Sequence, residues 1–217
     1  MSFLDYITDA GTQRVLVDLS LEHVALTASA VVAGGIIGLL LGVIAQRVAV
    51  LRVAIVNLTA LLLTIPSLAL FAILIPLVGI GFQPAVVALT LYSLLPIVRN
   101  TVSGLQGVDA ATVEAAKGMG MGGMKRLLRI ELPTAWPVIL AGLRVSTLLV
   151  IGIAAVAALV GGPGLGNEIF RGIRRIGSVG AVESIAGGTV AIVVLALLFD
   201  LLYLAIGRLT ISRGLRD

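Results

Sequence analysis

The chain has 217 residues, of which 59% are hydrophobic and 12% charged, with a formal net charge of +4 and no cysteine. A soluble domain carries about 25% charged residues, so a water-exposed globule is excluded. The absence of cysteine excludes disulfides, thiolate metal sites and cysteine nucleophiles. In so apolar a chain the excess of basic residues reports membrane topology before anything else, and no nucleic-acid partner is expected.

Residues 3–22 mix apolar and acidic positions and predict a short helix on the outer surface. Asp5, Asp9, Asp18 and Glu22 precede the first apolar block, where a cleaved leader needs a basic start, so no cleaved leader is expected. Val24 to Ala45 is 22 residues without a charge, and Val53 to Val98 is 46. Val145–Asn167 and Ser184–Phe199 are two further uncharged stretches. About 20 apolar residues cross a bilayer as a helix. The long block therefore holds two spans and each of the others holds one, predicting an all-α polytopic membrane protein of about five transmembrane helices, at roughly 24–45, 51–78, 85–105, 137–160 and 184–206. The single histidine, His23, stands at the entrance to the first span and is read as interfacial. That span carries Gly34, Gly38 and Gly42 at four-residue spacing, a packing surface for a neighbouring helix or, alternatively, a sliding one.

The second span is interrupted by Thr64-Ile65-Pro66-Ser67. Proline removes a backbone donor, and broken backbone in a membrane is tolerated only against protein or a water-filled cavity. Thr64, Pro66 and Ser67 are therefore candidates to line a translocation path, a structural kink being the alternative; Tyr92 in the third span is a further candidate.

Charge density jumps between 106 and 135. Asp109 is a suitable N-cap for the run Ala110–Lys117, and Gly118 and Gly120 are placed to stop it. A second run, Met121–Glu131, sets Met124, Leu127 and Leu128 beside Lys125, Arg126 and Arg129, with Pro133 as its expected end. Two short helices at the cytoplasmic surface with a partly apolar face fit a protein partner better than lipid headgroups. With this loop inside and five spans, the N-terminus is outside and the C-terminus cytoplasmic. Eleven of the 15 basic residues then lie inside, as the positive-inside rule requires. The domain reading is an outer segment 1–22, a permease domain 23–207 with its loop at 108–133, and a cytoplasmic basic tail 208–217.

The fourth span is followed by Gly161-Gly162-Pro163-Gly164-Leu165-Gly166 and a polar loop to Glu183. This is no phosphate loop, which ends in Gly-Lys-Ser/Thr; no nucleotide site, metal cluster or catalytic set can be assembled, and neither an enzyme activity nor a cofactor is expected. Arg144 and Asp200 are the charges within spans, where charged groups normally meet a partner or a cavity. An ion-coupled carrier usually shows more of them, so energy for uphill transport must come from a partner.

Glu114-Ala115-Ala116, three residues, Gly120, nine residues and then Ile130-x-Leu132-Pro133 resembles, at every fixed position, the EAA loop of binding-protein-dependent ABC importer permeases. The resemblance implies the type I ABC importer permease fold, with Glu114, Ala115, Ala116, Gly120, Ile130, Leu132 and Pro133 in coupling helices that dock on ABC ATPase subunits. It further implies a second permease, the same or similar, an extracytoplasmic solute-binding protein, ATP used only by the partner, and the bacterial cytoplasmic membrane. Thr64–Leu70, Gly79-Ile80-Gly81, Ala88–Thr101 and Gly142-Leu143-Arg144 are similar to the osmoprotectant subfamily for glycine betaine, choline, carnitine or proline betaine. Leu63 departs from that pattern, which carries Gln there. The competing readings are a permease for methionine or another amino-acid-like solute and, from another class, an ion channel or ion-coupled carrier.

Overall fold

A computed structural model describes residues 3–212. Among these, secondary structure is entirely helical: α1 (Phe3–Thr8), α2 (Ala10–Arg47), α3 (Ala49–Thr64), α4 (Ser67–Val78), α5 (Phe82–Gln106), α6 (Ala110–Gly118), α7 (Gly123–Arg126), α8 (Leu132–Ala154), α9 (Gly166–Arg174) and α10 (Ala181–Thr210). A π-helical turn, Leu127–Glu131, joins α7 to α8, and a 3₁₀ segment, Ala155–Val160, extends α8. By length and composition four helices can cross a membrane, and the bent pair α3–α4, if it is one span, brings the number to five.

Helix α5 is the centre of the bundle, packed between α2 and α8. Its contact with α2 is made by the glycine row. A methyl group on Gly38 would lie 2.8 Å from Ile97 Cγ2, and one on Gly42 would lie 2.5 Å from Thr101 Cβ. Gly34 meets Ser93 one turn earlier still. Residues 34, 38 and 42 thus receive 93, 97 and 101 as small residues receive a neighbouring helix in lipid. The row is a tight packing seam.

Helix α2 does not begin near residue 23. Asp9 caps it, accepting from the Thr12 amide at 2.8 Å, and the helix then runs unbroken for 38 residues. At 1.5 Å per residue this is about 57 Å, so the acidic segment is a helical extension of the first span with only α1 separate from it. His23 is fully buried within the protein, and its Nε2 donates to the Ile151 carbonyl at 3.1 Å. The loop Gly161–Gly166 folds over it. Gly164, at φ 107°, sits against the imidazole where a Cβ would clash, and its amide donates to Glu22 Oε2 at 3.0 Å. The polar stretch after this loop holds α9, whose Gly172 rests on α10 so closely that a Cβ would lie 2.5 Å from the Ala181 carbonyl. Peripheral α10 has no buried residue in its most apolar stretch.

Candidate docking loop and translocation path

The loop between α5 and α8 is built as its residue types require. Asp109 caps α6, accepting from the Ala111 amide and the Thr112 hydroxyl, each at 3.3 Å. At the other end, Met121 N–H donates to the Ala116 carbonyl at 3.1 Å and Gly120 N–H to the Lys117 carbonyl at 2.9 Å. This pair of bonds is a Schellman cap, which requires a left-handed residue at its penultimate position; Gly120, at φ 77°, fills it. Ala116 is 1% exposed and forms the foot of α6, where a larger residue has no room. Glu114 and Ala115 face outward. Lys117 donates to Glu114 Oε1 at 2.7 Å and holds that carboxyl below the usual carboxylate range.

The second run departs from expectation in two ways. Leu127 turns inward against Leu105, Val108, Ala135 and Ile139, leaving Met119, Met124 and Leu128 as the exposed apolar groups of the loop. Pro133 does not end the helix. Leu132 N–H donates to the Leu127 carbonyl, five residues back. This widened turn admits Pro133, which lacks an N–H, as the chain runs on into α8 without a break. Ile130 and Leu132 are half-buried, and Thr134 Oγ1 donates to the Ile130 carbonyl at 2.7 Å.

Beneath the loop is a charge cluster with no obvious signature in the sequence. Glu131 is 4% exposed; its Oε1 accepts from Arg126 Nε at 2.6 Å and its Oε2 from Arg47 Nη2 at 2.9 Å. A carboxylate this deep is stable only when paired and hydrogen-bonded. It joins the loop to the end of α2, 84 residues away in sequence. The variable position of the Ile-x-Leu-Pro string conceals it.

At the break in the second span, α3 and α4 meet at 99°, a near right-angle turn rather than a mild kink. Thr64 and Pro66 are exposed and Ser67 is half-buried. Tyr92 is 2% exposed, and its hydroxyl donates to the Ile65 carbonyl at 2.6 Å. It satisfies backbone freed by the break, so three of the four path candidates lie at the break and the fourth braces it from α5.

Arg144 and Asp200, distant in sequence, face each other across α8 and α10. Nε and Nη2 of the guanidinium donate to the two carboxylate oxygens at 2.5 and 2.7 Å. Two more polar contacts join these helices: Thr147 Oγ1 to the Tyr203 hydroxyl, and Trp136 Nε1 to Thr210 Oγ1, both at 2.8 Å. At the other end of the bundle Glu168, 2% exposed, accepts from the Tyr6 hydroxyl at 2.8 Å and from Arg171 at 2.5 Å. Burial raises the Tyr6 phenol above its usual range. Among the described residues no cluster of metal-ligating side chains occurs.

A helical membrane bundle with a braced break in one span and an exposed, capped loop of short helices is the architecture of a transport permease. Residues 34–212 match the profile of the binding-protein-dependent transport system inner membrane component family, and the chain belongs to that family of permeases, not enzymes. It is 40% identical over 195 residues to the glycine betaine/carnitine/choline transport system permease protein OpuCB of Bacillus subtilis, covering 90% of this chain and 88% of that one. It is 41% identical over 179 residues to the choline transport system permease protein OpuBB of the same organism, covering 82% and 81%. It is 40% identical over 222 residues to the osmoprotectant import permease protein OsmW of Salmonella typhimurium, covering 100% of both. Among solved structures, the inward-facing MetNI methionine ABC transporter superposes with a TM-score of 0.83 at 24% identity, over 95% of this chain and 100% of that one. An amino acid ABC transporter crystallised with histidines gives 0.76 at 19%, over 96% and 98%. At these identities the structural likeness speaks for the type I importer fold alone.

Proposed function

We propose that this chain forms the translocation path of an ATP-driven importer for small quaternary ammonium solutes: glycine betaine, choline, carnitine or proline betaine. The observation that carries the reading is identity near 40% across almost the whole length to permeases named for those solutes. The absence of a nucleotide-binding sequence is consistent with energy supplied by a separate ATPase.

In this reading the permease unit spans 23–207, with segment 1–22 and the N-terminus outside and tail 208–217 in the cytoplasm; of the tail only 208–212 lie within the described residues. The loop 108–133 is the docking site for the ATPase. Its exposed Glu114, Ala115, Met119, Met124 and Leu128 offer a charged and apolar helix surface suited to a groove, while Ala116, Gly120, Ile130, Leu132 and Pro133 shape its backbone and base. A second permease subunit and an external solute-binding protein complete the assembly. Thr64, Pro66 and Ser67 line the path and Tyr92 braces it.

Uptake of labelled glycine betaine by cells lacking their own osmoprotectant importers, with and without this chain and its partner genes, tests the assignment. Saturable uptake blocked by choline or carnitine and not by methionine is expected. Accumulation of methionine in place of betaine refutes the solute class.

A further inference from the structure

The carboxylate of the Arg144–Asp200 pair is more open than the buried carboxylates of Glu131 and Glu168, while the arginines are exposed alike. The Glu131 and Glu168 side chains are 5% and 3% exposed and those of their partners Arg47 and Arg171 34% and 44%. The Arg144 and Asp200 side chains are 40% and 24% exposed and open on a cleft of about 730 Å³ between α8 and α10, which Tyr203 also lines. Counted from the expected span ends at 137 and 206, Arg144 lies about 10 Å and Asp200 about 9 Å inside a hydrocarbon layer of about 30 Å, at 1.5 Å per residue. An accessible ion pair at that depth is costly against lipid and is kept where it faces water or a cavity. A purely structural clasp needs no access.

We infer that this cleft is a transient site for a zwitterionic solute, with Arg144 taking the solute carboxylate and Asp200 its quaternary ammonium group. The inference rests on the importer reading above and adds a place within the membrane where solute is recognised. Arg144 already presents its guanidinium edge to a carboxylate in the two-bonded geometry that a solute carboxylate would adopt. Asp200 supplies the opposite charge, and the Tyr203 ring lining the same cleft suits a methylated ammonium group. A zwitterion seated between the two replaces one ion pair with two, and Arg208 lines the cytoplasmic side of the same cleft. In the empty site each residue neutralises the other.

The test uses the complete transporter, with its ATPase and binding protein, in proteoliposomes at saturating solute. Maximal uptake of glycine betaine, a zwitterion, is compared with that of choline, a cation without a carboxylate. Arg144→Gln lowers glycine betaine uptake by about tenfold or more relative to choline, the loss of hydrogen bonds to a charged group. Asp200→Asn lowers both. The double variant Arg144→Gln/Asp200→Asn leaves no unpaired charge, so it assembles with the ATPase and is still impaired on glycine betaine. Wild-type glycine betaine uptake by the double variant makes the pair a structural clasp and overturns the inference, as does an equal loss of both solutes in Arg144→Gln. Failure of the unmodified transporter to move either solute refutes the importer reading itself, and is thereby distinguished from failure of the site.

Discussion

Removing the Glu131 carboxylate is the perturbation whose cost the structure bounds most closely. In Glu131→Ala two guanidinium groups lose their counter-charge. The Arg126 side chain is 12% exposed and has little access to water; the Arg47 side chain is 34% exposed and can resolvate. Breaking a buried pair by deleting one partner costs about 3–5 kcal/mol, and the partial exposure of Arg47 puts this case near the low end, at about 3 kcal/mol. For a chain of this size each kcal/mol moves the unfolding midpoint by about 2–4 °C, so a fall of about 6–12 °C is expected. The single tryptophan, Trp136, stands one turn into α8 against the apolar cluster that holds Leu127 and reports the transition by fluorescence in detergent. The control is Lys117→Ala, which breaks a pair whose members are 49% and 69% exposed; solvent screens such a pair, so its midpoint stays close to that of the wild type. Equal midpoints for Glu131→Ala and wild type would refute the claim that this cluster fastens the loop to α2.

Gly120→Ala forces a Cβ into the left-handed region and is expected to cost about 1–2 kcal/mol, seen as a lower melting midpoint with the loop's exposed residues more accessible to protease. Tyr92→Phe removes the hydroxyl that satisfies Ile65, costing about 1 kcal/mol; transport rate should fall while ATPase binding, measured by co-purification, is unchanged. Gly38→Ala sets a Cβ 2.8 Å from Ile97 Cγ2 and overpacks the α2–α5 seam by about 1–3 kcal/mol; the paired change Gly38→Ala/Ile97→Ala, which removes that Cγ2, should lose less than the sum of the two single changes in the same melt.

Features set by local sequence were legible beforehand. The uncharged blocks mark the spans because backbone in lipid must bond within its own segment. Asp109 and Gly120 mark the ends of α6 because a cap needs a side-chain acceptor at one end and a left-handed residue at the other. The glycine row at 34, 38 and 42 signals close packing, but the identity of its partner, 93, 97 and 101, is a matter of tertiary assembly. The unread features depend on distant partners or on an unusual turn. Glu131 occupies a position that local pattern leaves free, and its meaning comes from Arg47 at the far end of another helix. Arg144 and Asp200 are each visible as charges in apolar surroundings, yet nothing local couples residues 56 apart. Pro133 looks like a stop because the π-helical turn that admits it leaves no compositional mark. Helix α9 is short and set among glycines, so its few turns do not establish a period.

The central claim, that the loop at 108–133 is where the chain engages its ATPase, is tested most directly by site-specific cross-linking. The chain has no cysteine, so a single introduced thiol is unambiguous. Ala115→Cys, on the exposed face of α6, is expected to cross-link to the ATPase subunit in membranes and to do so differently with and without nucleotide. Ser178→Cys, exposed near the opposite end of the bundle, is expected not to. Cross-linking to the ATPase from position 178 and not from 115 would contradict the account.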